Sequence, residues 1–465
     1  MSGDALVACA ALADVWSTLG GASSELDRIA FTGDAVLAGP FPVAAAAAAT
    51  IGAAHLAAAE HGRANGNEIG DVHLSLRDAA AGFRSERYLE IDGRPPVDPW
   101  SPLSGYYETA DGWVQLHTNY DHHRDALLRI TRCPEDRDAV AKVLAGLRRF
   151  DVEAAVLGEG GCAFALRTHS EWAATEQAAA LASLLLVSTL RSAPGSAGAK
   201  AGLLRRDRPL DGVRPLDGVR VLDLTHVIAG PTAGRTLAAY GATVARISAA
   251  HLPTLVVLDV DTGFGKTWQA LDLRSAADRD AFLGLVRASD VVLQGFRPGA
   301  FDALGVGPAE LLAAHPGLVV VSLSAWSHAG PWADRRGFDS LVQTATGIAH
   351  EGGRARGSSK PVPLPAQALD HATGYLMAAA TMRALTDRLN DGGGADVRCA
   401  LAGTGAWLWS LPRIAVEQPD LGIDDVAKLR MNTVTPYGLA RHLGPVGRIE
   451  GVRLGWDIAP PARPW

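Results

Sequence analysis

The sequence predicts an α/β protein organised around a doubly wound parallel sheet, and three observations carry that prediction. From Val219 onward, short β-branched apolar runs alternate with helical patterns. The runs are apolar throughout, which suits strands covered by helices on both faces. The stretch RSAPGSAGAKAGLLRRDRP (191–209) is rich in Gly, Ser, Ala, Pro and charge, and separates this region from the rest as a linker does.

The expected strands are VRVLDL (219–224), TVARI (243–247), LVVLDV (255–260), WQALDL (268–273), DVVLQ (290–294) and LVVVSLS (318–324). Helices are expected over TAGRTLAAYG (232–241), 276–288 and 307–314, so the Rossmann-like sheet domain is assigned to 216–345. A further helix starts near Asp370, carries small residues on all sides and ends in the glycine-rich turn NDGGGAD. The strand-like DVRCAL (396–401) follows, giving a helix unit over 346–410 and a C-terminal return segment over 411–465.

Sliding residues 41–83 by 325 positions lays them on that helix unit. Arg63 falls on Arg388, Asn65 on Asn390, Asp71 on Asp396, Val72 on Val397 and Leu76 on Leu401. Residues 1–95 therefore read as a degenerate copy of the unit, with Ala45 opposite Asp370 and no carboxylate there. Residues 96–190 read as a small α+β domain. Its hairpin turns at Asp111–Gly112, and the helical DHHRDALLRI and DAVAKVLAGLRR follow. The linker is assigned to 191–215. PLDGVR occurs at 209–214 and again at 215–220, a short tandem duplication.

At 465 residues, two or three domains are expected. A net charge of -7 argues against a nucleic-acid partner, which needs a basic face. The four cysteines (Cys9, Cys133, Cys162, Cys399) form no C-x-x-C pair and read as reduced, packed thiols. The N-terminal stretch lacks a basic n-region and is interrupted by Asp4 and Asp14, unlike a signal peptide. The Ala run at 44–49 is expected to be too short and too weakly apolar to span a bilayer. A cytoplasmic protein without a membrane partner is the expectation.

Several familiar motifs fail on inspection. GFGKT (263–267) has Val260 where a phosphate loop needs its first Gly, and a strand-like segment follows it. The loop after the first strand, THVIAGPTAG, lacks G-x-G-x-x-G, so no nicotinamide is expected. HEGGR (350–354) is not H-E-x-x-H, and no G-x-S-x-G occurs, so no metal is expected either. His122 and His123 read as helix-start residues pointing to different faces.

What remains resembles the family III CoA-transferases. The resemblance lies in PLDGVRVLDLTHVIAGPTAGRTLAAYGATVARI, in the run from KTWQALDLRS to SAWSHAGPW, and in LDHATGYLMAA. It is strong over 215–410 and weaker over 40–190, and it implies coenzyme A as substrate and carrier, with an acyl-CoA and a carboxylic acid as reactants. CoA carries a pyrophosphate and a 3′-phosphate, which call for cations and backbone N–H groups at strand ends. Lys266, Arg274, Arg297 and Arg336 lie at or near such ends. The resemblance further implies that His226, Val227, Ile228 and Ala229 line the nucleotide. Leu271 to Arg274, with Gly295, Phe296 and Arg297, would wrap it, and Arg336 would follow. Two departures stand out: the family's K-I-E is Arg246-Ile247-Ser248 here, and Ala249 replaces a basic residue.

Asp370 with Gly374 matches the D-x-x-x-G of the family's catalytic position. An Asp before a helical run is ordinarily a helix cap. At a helix start its carboxylate is also expected to stay ionised through the dipole and nearby N–H donors. Attack on a thioester would then give a mixed anhydride and an aspartyl-CoA thioester. The small Ala372 and Gly374 would let backbone N–H groups reach the oxyanion. Two alternatives accompany this reading. α-Methylacyl-CoA racemases share the fold, but their G-H-D segment is Gly337-Phe338-Asp339 here, and Phe carries no proton. A non-catalytic CoA-binding scaffold is the other, supported by the rearranged order of units. The family's interlocked dimers imply a homodimer, or a pseudo-dimer made by the fused halves.

Overall fold

The computed structural model describes residues 2–95, 98–192 and 212–463. Its centre is a seven-stranded sheet in the order Lys266–Ala270, Thr243–Ser248, Arg220–Leu224, Val291–Gln294, Val319–Ser324, Ala395–Ala400, Val187–Arg191. The first six run parallel and the last antiparallel. Taken by chain position, the six parallel strands lie 3-2-1-4-5-6, a doubly wound order. The winding reverses between Arg220–Leu224 and Val291–Gln294, and a crevice opens there at the carboxyl ends of the strands.

Three sequence expectations change. The sheet does not end at residue 345: Ala395–Ala400, 50 and more residues on, is its sixth parallel strand. Val187–Arg191, assigned to the small domain, is its antiparallel edge. LVVLDV is not a strand but opens the helix Val256–Gly263. A short apolar run fits either state by pattern alone, and buried ion pairs decide it. Arg246 holds Asp259 at 2.6 Å and Arg235 holds Asp261 at 2.8 Å, both deep in the protein. Of the expected linker, 193–211 lies outside the described residues.

One face of the sheet is covered by the helices Ala276–Val286 and Pro308–Ala314, through Phe282, Val286 and Leu311. The other carries a layer of long, small-residue helices: Ala229–Ala239, Ala368–Asp391 and Val43–Ala64. Val43–Ala64 is 22 residues long and passes a length-and-composition test for a membrane span, longer than the alanine run implied. Almost all of it is buried inside the protein, as in a core helix.

Element starts in residues 1–95 can be laid beside those of the unit that bears Asp370. Helices start at Val43 and Ala368, and again at Leu76 and Leu401, with strands Val72–Ser75 and Ala395–Ala400 between them. Each pair of helix starts keeps the 325-residue offset of the sequence match. The two long helices pack along each other, and His61 Nδ1 lies 3.1 Å from Thr386 Oγ1, its own counterpart. The C-terminal hairpin Arg430–Thr435/Gly438–Leu443 pairs with Glu90–Ile91, and Arg448–Ile449 with Val72–His73.

The small domain is a three-stranded antiparallel sheet, Gly105–Thr109, Gly112–Leu116 and Ala163–Ala165, backed by three helices between Asp121 and Gly158. Gln177 ties its far side to the loop after Val319–Ser324: its amide donates to Trp326 O and Ala329 O, and its carbonyl accepts Trp332 N at 2.7 Å.

Gly374 has a packing role. A Cβ there would stand 2.4 Å from Ala229 O and 2.8 Å from Thr232 Cβ, so the helix bearing Asp370 touches Ala229–Ala239 backbone to backbone. Gly374 lies one turn beyond Asp370 on the same helix face. The D-x-x-x-G spacing thus presses the first turn of one helix onto the loop that opens the other. Gly374→Ala is expected to cost about 1–3 kcal/mol through overpacking, read as a lower denaturant midpoint at unchanged m-value. The same displacement should impair the site more than an equally destabilising change far from it.

Candidate functional site

Asp370 is the third residue of its helix, not the cap; Gln367 occupies the cap position and makes no side-chain capping bond. The cap comes from Asp339, at the start of Asp339–Ala345. Its Oδ2 accepts Leu369 N at 2.8 Å and Asp370 N at 3.0 Å, while Oδ1 accepts the Gln343 amide. Gln343 Oε1 in turn accepts Leu364 N at 2.7 Å, fixing the strap before the helix. Asp339 is fully occupied as a positioning group, and the carboxylate of Asp370 is left for the cavities beside it.

Two cavities meet at Asp370. One, of about 340 Å³, lies in the crevice of the sheet and is lined by His226, Val227, Ala229, Gly295, Phe296, Arg297 and Arg336, among others. The other, of about 470 Å³, lies between the sheet loops and the small domain, with Ile228, Trp100, His117 and Leu258 in its walls. Val227, Tyr120, Phe338 and Asp370 border both. Val227 holds φ of 71°, an unusual conformation for a β-branched residue and one found where a site dictates the backbone.

The electrostatics divide along the same line. Arg297 donates to Asp334 O at 3.2 Å and Arg336 to Gly160 O at 3.2 Å. Among the described residues neither has a carboxylate partner, so the crevice carries two uncompensated cations. Burial, then the nearby Arg246, lowers His226 to about 4, and neither of its ring nitrogens has a partner. Around Asp370 the charge is negative. Burial, followed by the carboxylates of Asp339 and Glu86, pushes the Asp370 carboxyl well above the usual range. This reverses the expectation of a readily ionised group: the nearby amides serve Asp339, and desolvation outweighs the helix dipole. Burial pushes Asp339 up to about 6 against the bonds from Asp370, Gln343 and Leu369. In Glu86, burial is more than offset by His371, whose Nε2 lies 3.1 Å away, and the carboxyl sits below the usual range. His371 therefore points back to Glu86 of the N-terminal copy.

Residues 216–416 match the family model described as CoA-transferase family III. The chain is 32% identical over 231 residues to a probable fatty acyl-CoA transferase of Mycobacterium tuberculosis, covering 46% of this chain and 57% of that one. It is 32% identical over 191 residues to an acetyl-coenzyme A transferase of Hypoxylon pulicicidum, covering 40% and 32%. The chain thus spans about a third to three fifths of these relatives. A crystal structure of a hypothetical protein from M. tuberculosis aligns at 32% identity with a TM-score of 0.39, over 43% of this chain and 58% of that one.

Over residues 216–416 the chain is similar to the family III CoA-transferases.

Within that region the structure sorts the expected ligand-binding residues. His226 to Ala229, Gly295 to Arg297 and Arg336 converge on Asp370. Lys266 does not: its Nζ is buried against Asp223 Oδ2 at 2.7 Å and Pro231 O at 2.8 Å, an internal ion pair beneath the first loop. Leu271 packs into the core under the sheet. Arg274 is exposed, forks onto Asp272 and lies outside both cavities. Arg246 turns into the protein toward Asp259 and Trp268. Ala372 and Gly374 lie inside the helix, so they supply no oxyanion donors. Of the histidine pair, His122 is exposed and His123 buried, and both border the crevice. Sequence reasoning missed Trp100, His117, Tyr120 and Glu86, which come from distant units and carry no motif. Among the described residues, no group of three or more His, Cys, Asp or Glu is placed to hold a metal.

Changing Arg297 and Arg336 together to Ala should weaken CoA binding by roughly 10- to 100-fold, since two charge-assisted contacts at a partly exposed site are lost. Calorimetry at low and high salt checks this, and the salt dependence should shrink in the double variant. Arg274→Ala should leave affinity within about twofold, because its charge is already spent on Asp272.

Proposed function

We propose that this protein transfers CoA between an acyl-CoA and a carboxylic acid, with Asp370 as nucleophile. The observation that carries this reading is the place of Asp370: an unengaged carboxylate at the junction of a cationic crevice and a larger, more apolar cavity. The crevice suits the phosphates of CoA, with Arg297 and Arg336 as anion partners and the strand-end loops as backbone donors. The second cavity suits the acyl group. The thioester then lies at the waist, against Asp370.

The steps follow from that placement. A carboxylate oxygen of Asp370 attacks the thioester carbonyl, the C–S bond breaks, and CoA leaves as thiolate, giving an acyl-aspartyl anhydride. The thiolate, still held in the crevice, attacks the aspartyl carbonyl and releases the first acid. The resulting aspartyl-CoA thioester is attacked by the second carboxylate, and the returning thiolate takes the new acyl group and frees Asp370. Asp339 keeps the helix start in place throughout, and any proton on the Asp370 carboxyl, favoured by its burial, leaves to solvent before the carboxylate attacks. Cytoplasmic location and self-association belong to the same proposal. The fused halves, packed about the His61–Thr386 contact, support a pseudo-dimer with one reactive carboxylate, since Ala45 stands opposite Asp370.

Asp370→Asn cannot form the anhydride, so transfer should fall by several orders of magnitude. Hydroxylamine added during wild-type turnover should leave a hydroxamate at residue 370, detectable by peptide mass spectrometry. If the Asn variant keeps more than about a tenth of the rate, under ~1.4 kcal/mol in the barrier, Asp370 is not the nucleophile. Acylation in single turnover should rise with pH through a midpoint above the ordinary carboxylate range, because only the ionised form attacks. Stability should move the other way. With the folded-state pKa raised, the unfolded chain ionises first as pH rises, so the wild type loses stability from the ordinary carboxylate pKa up to the folded one. Asp370→Asn should therefore melt higher than wild type near neutral pH and no higher well below pH 4.

A further inference from the structure

We infer that the acyl group is a bulky apolar monocarboxylate, of about a dozen or more carbons or of fused-ring size, and not a short acid or a diacid. The inference rests on the transfer reading above and adds the substrate class.

Size is the first argument. The acyl-side cavity measures about 470 Å³. An engineered cavity of roughly 150 Å³ is enough for benzene, so this one takes about three such volumes of apolar ligand. A two- to four-carbon acid would leave most of it to water and gain little from its walls.

The walls are the second argument. Val227, Ile228, Leu255 and Leu258 form an aliphatic floor from the sheet loops and the Val256–Gly263 helix, while Trp100 and Phe338 close it from the other side. Trp100, 37% exposed, borders the cavity with its indole. His117, stacked on Phe338 with ring centroids 3.7 Å apart, adds a neutral imidazole, since burial lowers it to about 3.

Charge is the third. Glu86, Asp98, Asp339 and Asp370 all border the cavity, and the one arginine of its lining among the described residues, Arg87, leans toward Glu86 at 3.7 Å. A second carboxylate on the substrate would be buried among carboxyl groups whose own ionisation is already opposed, and among the described residues the lining offers no cation but Arg87. The anion-binding arginines stand on the other side of the waist, in the CoA crevice. Discrimination against diacids thus comes from the cost of burying a second charge there, and preference for long or cyclic acids from burial of apolar surface.

The test separates the cavity from the chemistry. Calorimetry on Asp370→Asn, which holds the ligand without reacting, compares CoA with butanoyl-, octanoyl-, dodecanoyl- and succinyl-CoA. Affinity should rise by about two- to fourfold per added methylene until the cavity is filled. Succinyl-CoA, of the same carbon count as butanoyl-CoA, should bind at least tenfold more weakly than it. Trp100→Ala should remove about tenfold of the dodecanoyl advantage over butanoyl. Equal affinities along the series, or succinyl-CoA binding as well as butanoyl-CoA, would overturn the substrate class. Wild-type hydroxamate trapping with the same thioesters reports on transfer separately. A rising affinity series without trapping sinks the transferase reading and leaves the cavity assignment standing; trapping with a flat series does the reverse.

Discussion

The two hydrogen bonds from Leu369 N and Asp370 N to the Asp339 carboxylate hold the site together. A helix start needs its free amides satisfied, and an acidic residue in the first turn is the natural candidate. Here a neighbouring helix supplies the carboxylate instead, and Asp370 is released from that duty. The arrangement has a cost: two carboxyl groups share one buried helix terminus, with Glu86 close by, and each carries a raised pKa except the one steadied by His371. Burying carboxyl groups this close together opposes their ionisation, and near neutral pH that costs the fold stability.

The scaffold that tolerates this is built by close approach. Small residues along Val43–Ala64, Ala368–Asp391 and Ala229–Ala239 bring three helices together, and Gly374 lets one lie against the opening turn of another. That contact sets Asp370 beside the loop after Arg220–Leu224, at the reversal of the sheet. Beneath it the buried Lys266–Asp223 pair anchors the loop through Pro231 O. The small domain completes the enclosure from the far side, so the cavities lie at a seam between units, as ligand sites commonly do. The N-terminal region contributes Glu86, beside His371, to the surroundings of Asp370.

Much of this was legible in the sequence because it depends on local pattern. Apolar strands at 219–224, 243–247, 290–294 and 318–324 announce themselves, since a strand buried on both faces must be apolar along its length. The helix starts at Val43 and Leu76 stand 325 residues before those at Ala368 and Leu401, the offset of the sequence match. The same local reasoning failed at 255–260, where Asp259 and Asp261 serve as helix-borne partners for Arg246 and Arg235. It failed again at Lys266 and Arg274, whose charges look available along the chain and are spent in space on Asp223 and Asp272.

By itself, then, the sequence determined the alternation of strand and helix and the candidate carboxylate at Asp370. Each follows from the order of side chains along one stretch. Tertiary structure alone decided that Asp339 caps the helix, that Ala395–Ala400 and Val187–Arg191 finish the sheet, and that Trp100, His117 and Glu86 reach the site. It also decided how Asp370 titrates. Burial and the approach of charges from other units set that, and neither is a property of any local run of residues.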